Sequence, residues 1–168
     1  MEHLVRDPAC RNRVYYLKAE GMEATFKAMV TLRAKMVEKW IRRVKRDFLD
    51  TATIKFVGLD CEFTDPRKKK VGEEQRAAVL QLSLASETLV FQMIHADIKV
   101  PQALKDFLED GNIIFCGTAI GNDLKKLRLE GIRITSAYDL QKVVPNPTTK
   151  TTPSLYDLAN HTIGTNLE

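Results

Sequence analysis

The chain has 168 residues, 44% hydrophobic and 29% charged, with a formal net charge of +4. That suits one globular domain with a real core plus an appendage; no run of about 18 apolar residues is available to span a membrane, and the opening MEHLVRDPACRNR lacks the apolar stretch of a secretory signal. The cysteines, Cys10, Cys61 and Cys116, are odd in number and widely spaced. They read as reduced thiols of an intracellular protein, nuclear or cytoplasmic, and not as a disulfide frame or a zinc site.

In chain order, the first predicted element is a long helix over 21–49. Met22, Phe26, Met29, Val30, Val37, Trp40, Ile41, Val44 and Phe48 recur at three- and four-residue steps. Residues 1–50 carry 12 Lys and Arg against 7 Asp and Glu, and the rest of the chain 14 against 15. The basic excess therefore belongs to this segment, with Arg42, Arg43 and Arg46 on the helix's polar side. Residues 1–50 are expected to form a basic helical segment packing on the domain of residues 51–168. The same helix offers a route to homo-oligomers, although its wide apolar side suits docking on its own domain.

After Asp50 the pattern changes to strand, with strands expected at about 53–60, 78–84, 88–93, 113–116 and 132–138. Ser86-Glu87 between two apolar runs suits a hairpin. Helices fit about 101–109, after Pro101, and about 119–130, ending at Gly131, and a last one starts near Thr152-Pro153-Ser154. Three successive strands followed by alternating helices and strands imply an α/β fold, a mixed five-stranded sheet flanked by helices.

The first strand of this series, FVGLDCEF, ends in Asp60 and Glu62. Side chains two apart on a strand share a face, so the acids point together and Cys61 points away. Two carboxylates ~5 Å apart repel by roughly 3 kcal/mol at an effective dielectric of about 20. A fold tolerates this if one acid holds a proton or a cation sits between them. Asp123 follows early in a helix that grows from another strand end, and its first turn can return to the same rim. Three acids from separate segments can then share a site for Mg²⁺ or Mn²⁺, which prefer hard oxygen ligands. Alone, Asp123 is also explained as an acid favoured by a helix N-terminus. Just after the pair comes Arg67-Lys68-Lys69-Lys70. This run is either a solvated loop or a contact for a polyanion.

KFVGLDCEF, AAVLQLSLASETLVFQM, FCGTAIGNDLKKL and PSLYDLANHTIG together resemble the DEDD 3′–5′ exonuclease superfamily. The match is best to the Werner-syndrome-type exonuclease domain in its plant form, including the Trp40-Ile41 lead-in helix. It covers about residues 37–167. The resemblance implies a ribonuclease-H-like fold, two-metal phosphodiester hydrolysis on DNA or RNA, and Asp60, Glu62 and Asp123 as metal ligands. In that family a third motif follows, a Tyr or His before a fourth Asp. Within these residues it is not found. Tyr138-Asp139 and Tyr156-Asp157 have the types but not the spacing. Asp139 is expected to cap a helix, and Asp157 to sit at a helix start with Thr152 or Ser154 as cap. His161 with Asn166 lacks an anionic ligand. Residues 1–168 are therefore expected to hold one or two cations weakly and to cleave slowly or not at all. The alternative is a catalytically deficient module that binds nucleic acid or a protein.

Overall fold

The computed structural model of the protein describes residues 3–6, 13–18, 25–65 and 74–165. Strands β1 (His3–Arg6), β2 (Arg13–Lys18) and β3 (Thr25–Thr31) come first, then helix α1 (Ala34–Val44), which runs on into a π-helical turn over Lys45–Leu49. There follow β4 (Lys55–Phe63), β5 (Ala77–Leu84), β6 (Glu87–Phe91), α2 (Gln102–Glu109), β7 (Ile113–Gly117), α3 (Ile120–Leu129), β8 (Ala137–Asp139), α4 (Leu140–Val143) and α5 (Leu155–Ile163). Among the described residues they build one mixed eight-stranded sheet in the order β1-β2-β3-β6-β5-β4-β7-β8.

The five expected strands form the β6-β5-β4-β7-β8 part of that sheet. β4 and β5 pair antiparallel, as do β5 and β6, while β7 joins β4 in parallel and β8 joins β7 in parallel. β4 is thus hydrogen-bonded along both edges. Val57, Leu59 and Cys61 point from it into the core. There they join Val37, Trp40 and Val44 of α1, Leu104 and Phe107 of α2, and Ile120 and Leu127 of α3. Trp40 meets Phe107 edge-on at 6.5 Å between ring centroids, and Phe107 meets Phe115 of β7 the same way at 5.9 Å. This aromatic chain fixes the helical layer against one face of the sheet.

Two expectations are corrected. The helix expected over 21–49 begins only at Ala34, because Thr25–Thr31 is a strand that pairs in parallel with β6. Ala28, Met29 and Thr31 are all buried there, so the strand lacks the alternation that would have marked it. The other departure is sheet size: β1, β2 and β3 enlarge the expected five strands to eight. α1 itself packs Val37, Trp40, Ile41 and Val44 in this chain's own core, the docking that its wide apolar side suits. The start of α1 is satisfied from a distance: the backbone N–H of Ala34 donates to Asp97 Oδ1 at 2.8 Å. No described helix is long and apolar enough to cross a membrane.

Where β7 ends beside β4, the strands approach closely. A Cβ on Gly117 would lie 2.4 Å from the carbonyl oxygen of Leu59, the residue before Asp60. Only glycine fits this backbone-to-backbone contact. Gly117→Ala is expected to push β7 off β4 and to destabilise the fold by about 1–3 kcal/mol, measured as a lower urea midpoint with an unchanged slope. An unchanged midpoint would show that the strands are not held this tightly.

Candidate active site

Asp60 and Glu62 stand exposed on the face of β4 opposite Val57, Leu59 and Cys61. Strand alternation produces this. Asp60 pairs across the ladder with Gln81 and Glu62 with Val79, and a bulge follows directly between Glu62 and Phe63. Gln81 Nε2 donates to Asp60 Oδ2 at 3.3 Å. Gln81 escaped the sequence reading, although it alternates with buried Leu80 and Leu82 and so must share the face of its ladder partner Asp60.

Asp123 lies in the first turn of α3 and is only 5% exposed. β7 is in parallel register with β4 up to Gly58↔Cys116, so the turn from Gly117 into α3 starts beside Leu59 and Asp60. Ala119 makes that turn in the left-handed region, at φ 53°. Its N–H donates to Asp139 Oδ1 at 3.2 Å, and the same oxygen caps α4 through the N–H of Gln141 at 3.1 Å. Asp139 is the helix cap expected of it. An ion pair with Lys150, and then a capping box with Ser154, hold the Asp157 carboxyl down at about 2.

The three acids share one electrostatic field. Burial first, then the charges of Asp60 and Glu62, push the Asp123 carboxyl up to about 7 from 3.8. The thiol of buried Cys61 is pushed well above its ordinary range, first by burial and then by Asp123, Asp60 and Glu62. Among the described residues no Lys, Arg or His forms an ion pair with any of the three. An all-carboxylate set with unbalanced charge fits a hard divalent cation by donor chemistry. As the side chains stand, no three acidic, imidazole or thiol groups among the described residues already enclose an ion. The set is an open one.

The other expected site residues lie elsewhere. Arg67, Lys68, Lys69 and Lys70 fall outside the described residues. Arg42 is exposed on α1. Arg43 Nη2 reaches Glu87 Oε2 at 2.5 Å, and Arg46 Nε reaches Asp47 Oδ1 at 2.6 Å, so both guanidinium groups already have anionic partners.

No protein-family model matches the chain, and no curated protein matches it. Solved structures do. The EXD2 exonuclease domain is 22% identical at a TM-score of 0.55, covering 84% of this chain and 71% of that one. The EXO domain of Aedes aegypti Nibbler is 12% identical at 0.62, covering 83% and 69%. Escherichia coli RNase D, an exoribonuclease involved in structured RNA processing, is 15% identical at 0.64, covering 83% of this chain and 34% of its own. The EXD2 domain has also been solved after soaking in Mg with GMP, and in Mn with Mg. At such identities the likeness speaks for the fold. The chain has the ribonuclease-H-like α/β fold of these exonuclease domains.

The raised carboxyl of Asp123 has a signed consequence. Between pH about 4 and about 7 the folded chain keeps a proton that the unfolded chain releases. Metal-free stability is therefore greatest at the acid end of that window and falls as pH rises through it. In chelator, Asp123→Asn should lose this slope and melt a few degrees above the parent at pH 8. Melting curves from pH 4.5 to 8 check it. A variant with the parent's slope would place the titration on another group.

Proposed function

We propose that this domain hydrolyses phosphodiester bonds of DNA or RNA from the 3′ end, at a divalent-cation site formed by Asp60, Glu62 and Asp123. The observation that carries this reading is the electrostatic coupling of Asp60 and Glu62 on β4 with Asp123 on α3, with no Lys, Arg or His among the described residues in an ion pair with any of them. The sheet that presents them is the one found in exonuclease domains. Magnesium and manganese soaks of the EXD2 domain favour the same cations here. The motif strings favour the Werner-type branch of the superfamily.

Asp60 and Glu62 would hold the ion from the open face of the sheet, which a polymer end can reach. Asp123 would hold it from the buried side, giving up its proton as the ion enters. When bound, a divalent ion polarises the phosphoryl group and makes a nucleophile of its water. Gln81, already on Asp60, fixes that carboxylate's rotation. Among the described acids, Asp139 and Asp157 are engaged as caps and supply no further ligand or base. Lack of a positioned acid–base partner costs about 10²–10⁴ in rate. The reading therefore includes slow turnover by residues 1–168. The same observation favours a second reading, a binding module that retains the cation site without efficient cleavage.

In calorimetry, Mn²⁺ should give a heat that Asp60→Asn abolishes. A 5′-labelled DNA or RNA strand should be shortened slowly, one nucleotide at a time, in Mn²⁺ by the parent and not by Asp60→Asn. Mn²⁺ binding without any shortening selects the binding module. Equal Mn²⁺ binding by Asp60→Asn overturns the site.

For nucleic-acid contact we assign Arg67–Lys70, which follow the acid pair in sequence. Neutralised phosphates release counterions, so affinity should fall steeply with salt. Replacing Lys68, Lys69 and Lys70 by Ala should flatten the slope of log affinity on log salt by about 2–3. An unchanged slope makes the run a solvated loop.

A further inference from the structure

At the far end of α3 from Asp123 stands a second buried acid. Glu130 terminates the helix, and its side chain is 3% exposed. Arg76 grips it with a two-pronged contact, Nε to Oε1 and Nη2 to Oε2, both at 2.9 Å. Lys99 Nζ adds a contact at 3.7 Å. Energetically the position is a poor one for an acid. A helix C-terminus repels negative charge, and burial of a charge is seldom recovered in full by its partners. A neutral residue would close the helix at lower cost. What the arrangement supplies is fixed geometry.

The geometry leads back to the acid pair. Arg76 is itself tied to the end of β4: its N–H donates to Thr64 Oγ1 at 3.1 Å, and its carbonyl accepts from the N–H of Thr64 at 3.0 Å. Thr64 stands two residues after Glu62. On α3, Asp123, Leu127 and Glu130 share the inward side, as residues seven apart on a helix do. The strand bearing Asp60 and Glu62 is therefore linked through Thr64, Arg76 and Glu130 to the helix bearing Asp123. The lever between Glu130 and Asp123 is roughly 10 Å long, so a 10° swing displaces one end by roughly 2 Å. Carboxylate–metal distances tolerate about 0.2 Å.

We propose that Glu130, held by Arg76 and Lys99, is a positioning residue that sets α3 so that Asp123 meets the Asp60–Glu62 pair. This rests on the reading of those three acids as a cation site. Arg76 and Lys99 are 54% and 36% exposed, so both regain water when Glu130 loses its charge, and Glu130→Gln is compatible with folding.

The test compares the parent, Glu130→Gln, Arg76→Gln and the double variant in two measurements. In metal-free amide hydrogen exchange, α3 amides of Asp123–Leu127 should exchange about tenfold faster in each variant, with β4 and β5 unchanged. Mn²⁺ affinity by calorimetry should fall roughly tenfold or more, and the double variant should be little worse than either single one. Arg76→Lys, which keeps the charge but loses the fork, should restore part of the affinity. Faster exchange spread evenly over β4, β5 and α3, or no change in exchange, overturns the inference. So does a Glu130→Gln chain that binds Mn²⁺ as tightly as a binding-competent parent, and that result leaves the cation site standing. A parent that binds no Mn²⁺ overturns the cation site and this inference together.

Discussion

Asp60 and Glu62 on β4 repel the carboxylate of Asp123 on α3, and this electrostatic coupling is the constraint around which the neighbouring structure is organised. Behind them lies apolar core, Leu59 and Leu80 among it, which weakens the screening that water would give. The raised carboxyl of Asp123, at about 7, lets a proton relieve the repulsion below neutral pH. The same charges, after burial, raise the thiol of Cys61. A divalent cation would relieve the same strain from outside, which makes proton and cation alternatives at one place.

Bringing the acids together needs more than their presence in the sequence. β4 is pinned along both edges, so Asp60 and Glu62 are set by ladder geometry. Asp123 belongs to a helix, and helices on a sheet slide and tilt unless something stops them. Gly117 lets β7 close on the carbonyl of Leu59. Ala119 then turns the chain through a left-handed conformation that costs about 1 kcal/mol for a non-glycine residue. Asp139 offsets part of this by accepting from its N–H. Strain at that turn and a buried charge at the other end of α3 are both unfavourable locally. Each makes sense as the cost of a fixed helix.

The acid pair, the hairpin after it and the helix carrying Asp123 were legible because local pattern and tertiary role agree there. Alternation in FVGLDCEF places the acids, and Gly131 marks the end of α3. The first fifty residues misled because they do not agree. Phe26, Met29 and Val30 have helical spacing but sit in a strand buried on both faces, where neither period is visible. The true start of α1 has no local cap, since its N–H finds Asp97, 63 positions away in sequence. The same limit hides Arg76 and Glu130. They are 54 positions apart, and nothing in the local sequence marks them as partners.

The placement of charge also orders events at the site. With all three acids ionised, the centre repels a phosphodiester strand. One divalent ion leaves it with a single negative charge, and a second reverses the sign. Of the basic side chains of α3, Lys125 and Arg128 are exposed and Lys126 is half-buried, while Asp123 and Leu127 are buried. Among the described residues none of them forms an ion pair with Asp60, Glu62 or Asp123. Arg43 and Arg46, with partners already in Glu87 and Asp47, add little more. On the proposed reading, the acidic centre is neutralised before a phosphate settles there. A nucleic acid arriving first would, on that reading, meet repulsion from Asp60, Glu62 and an ionised Asp123.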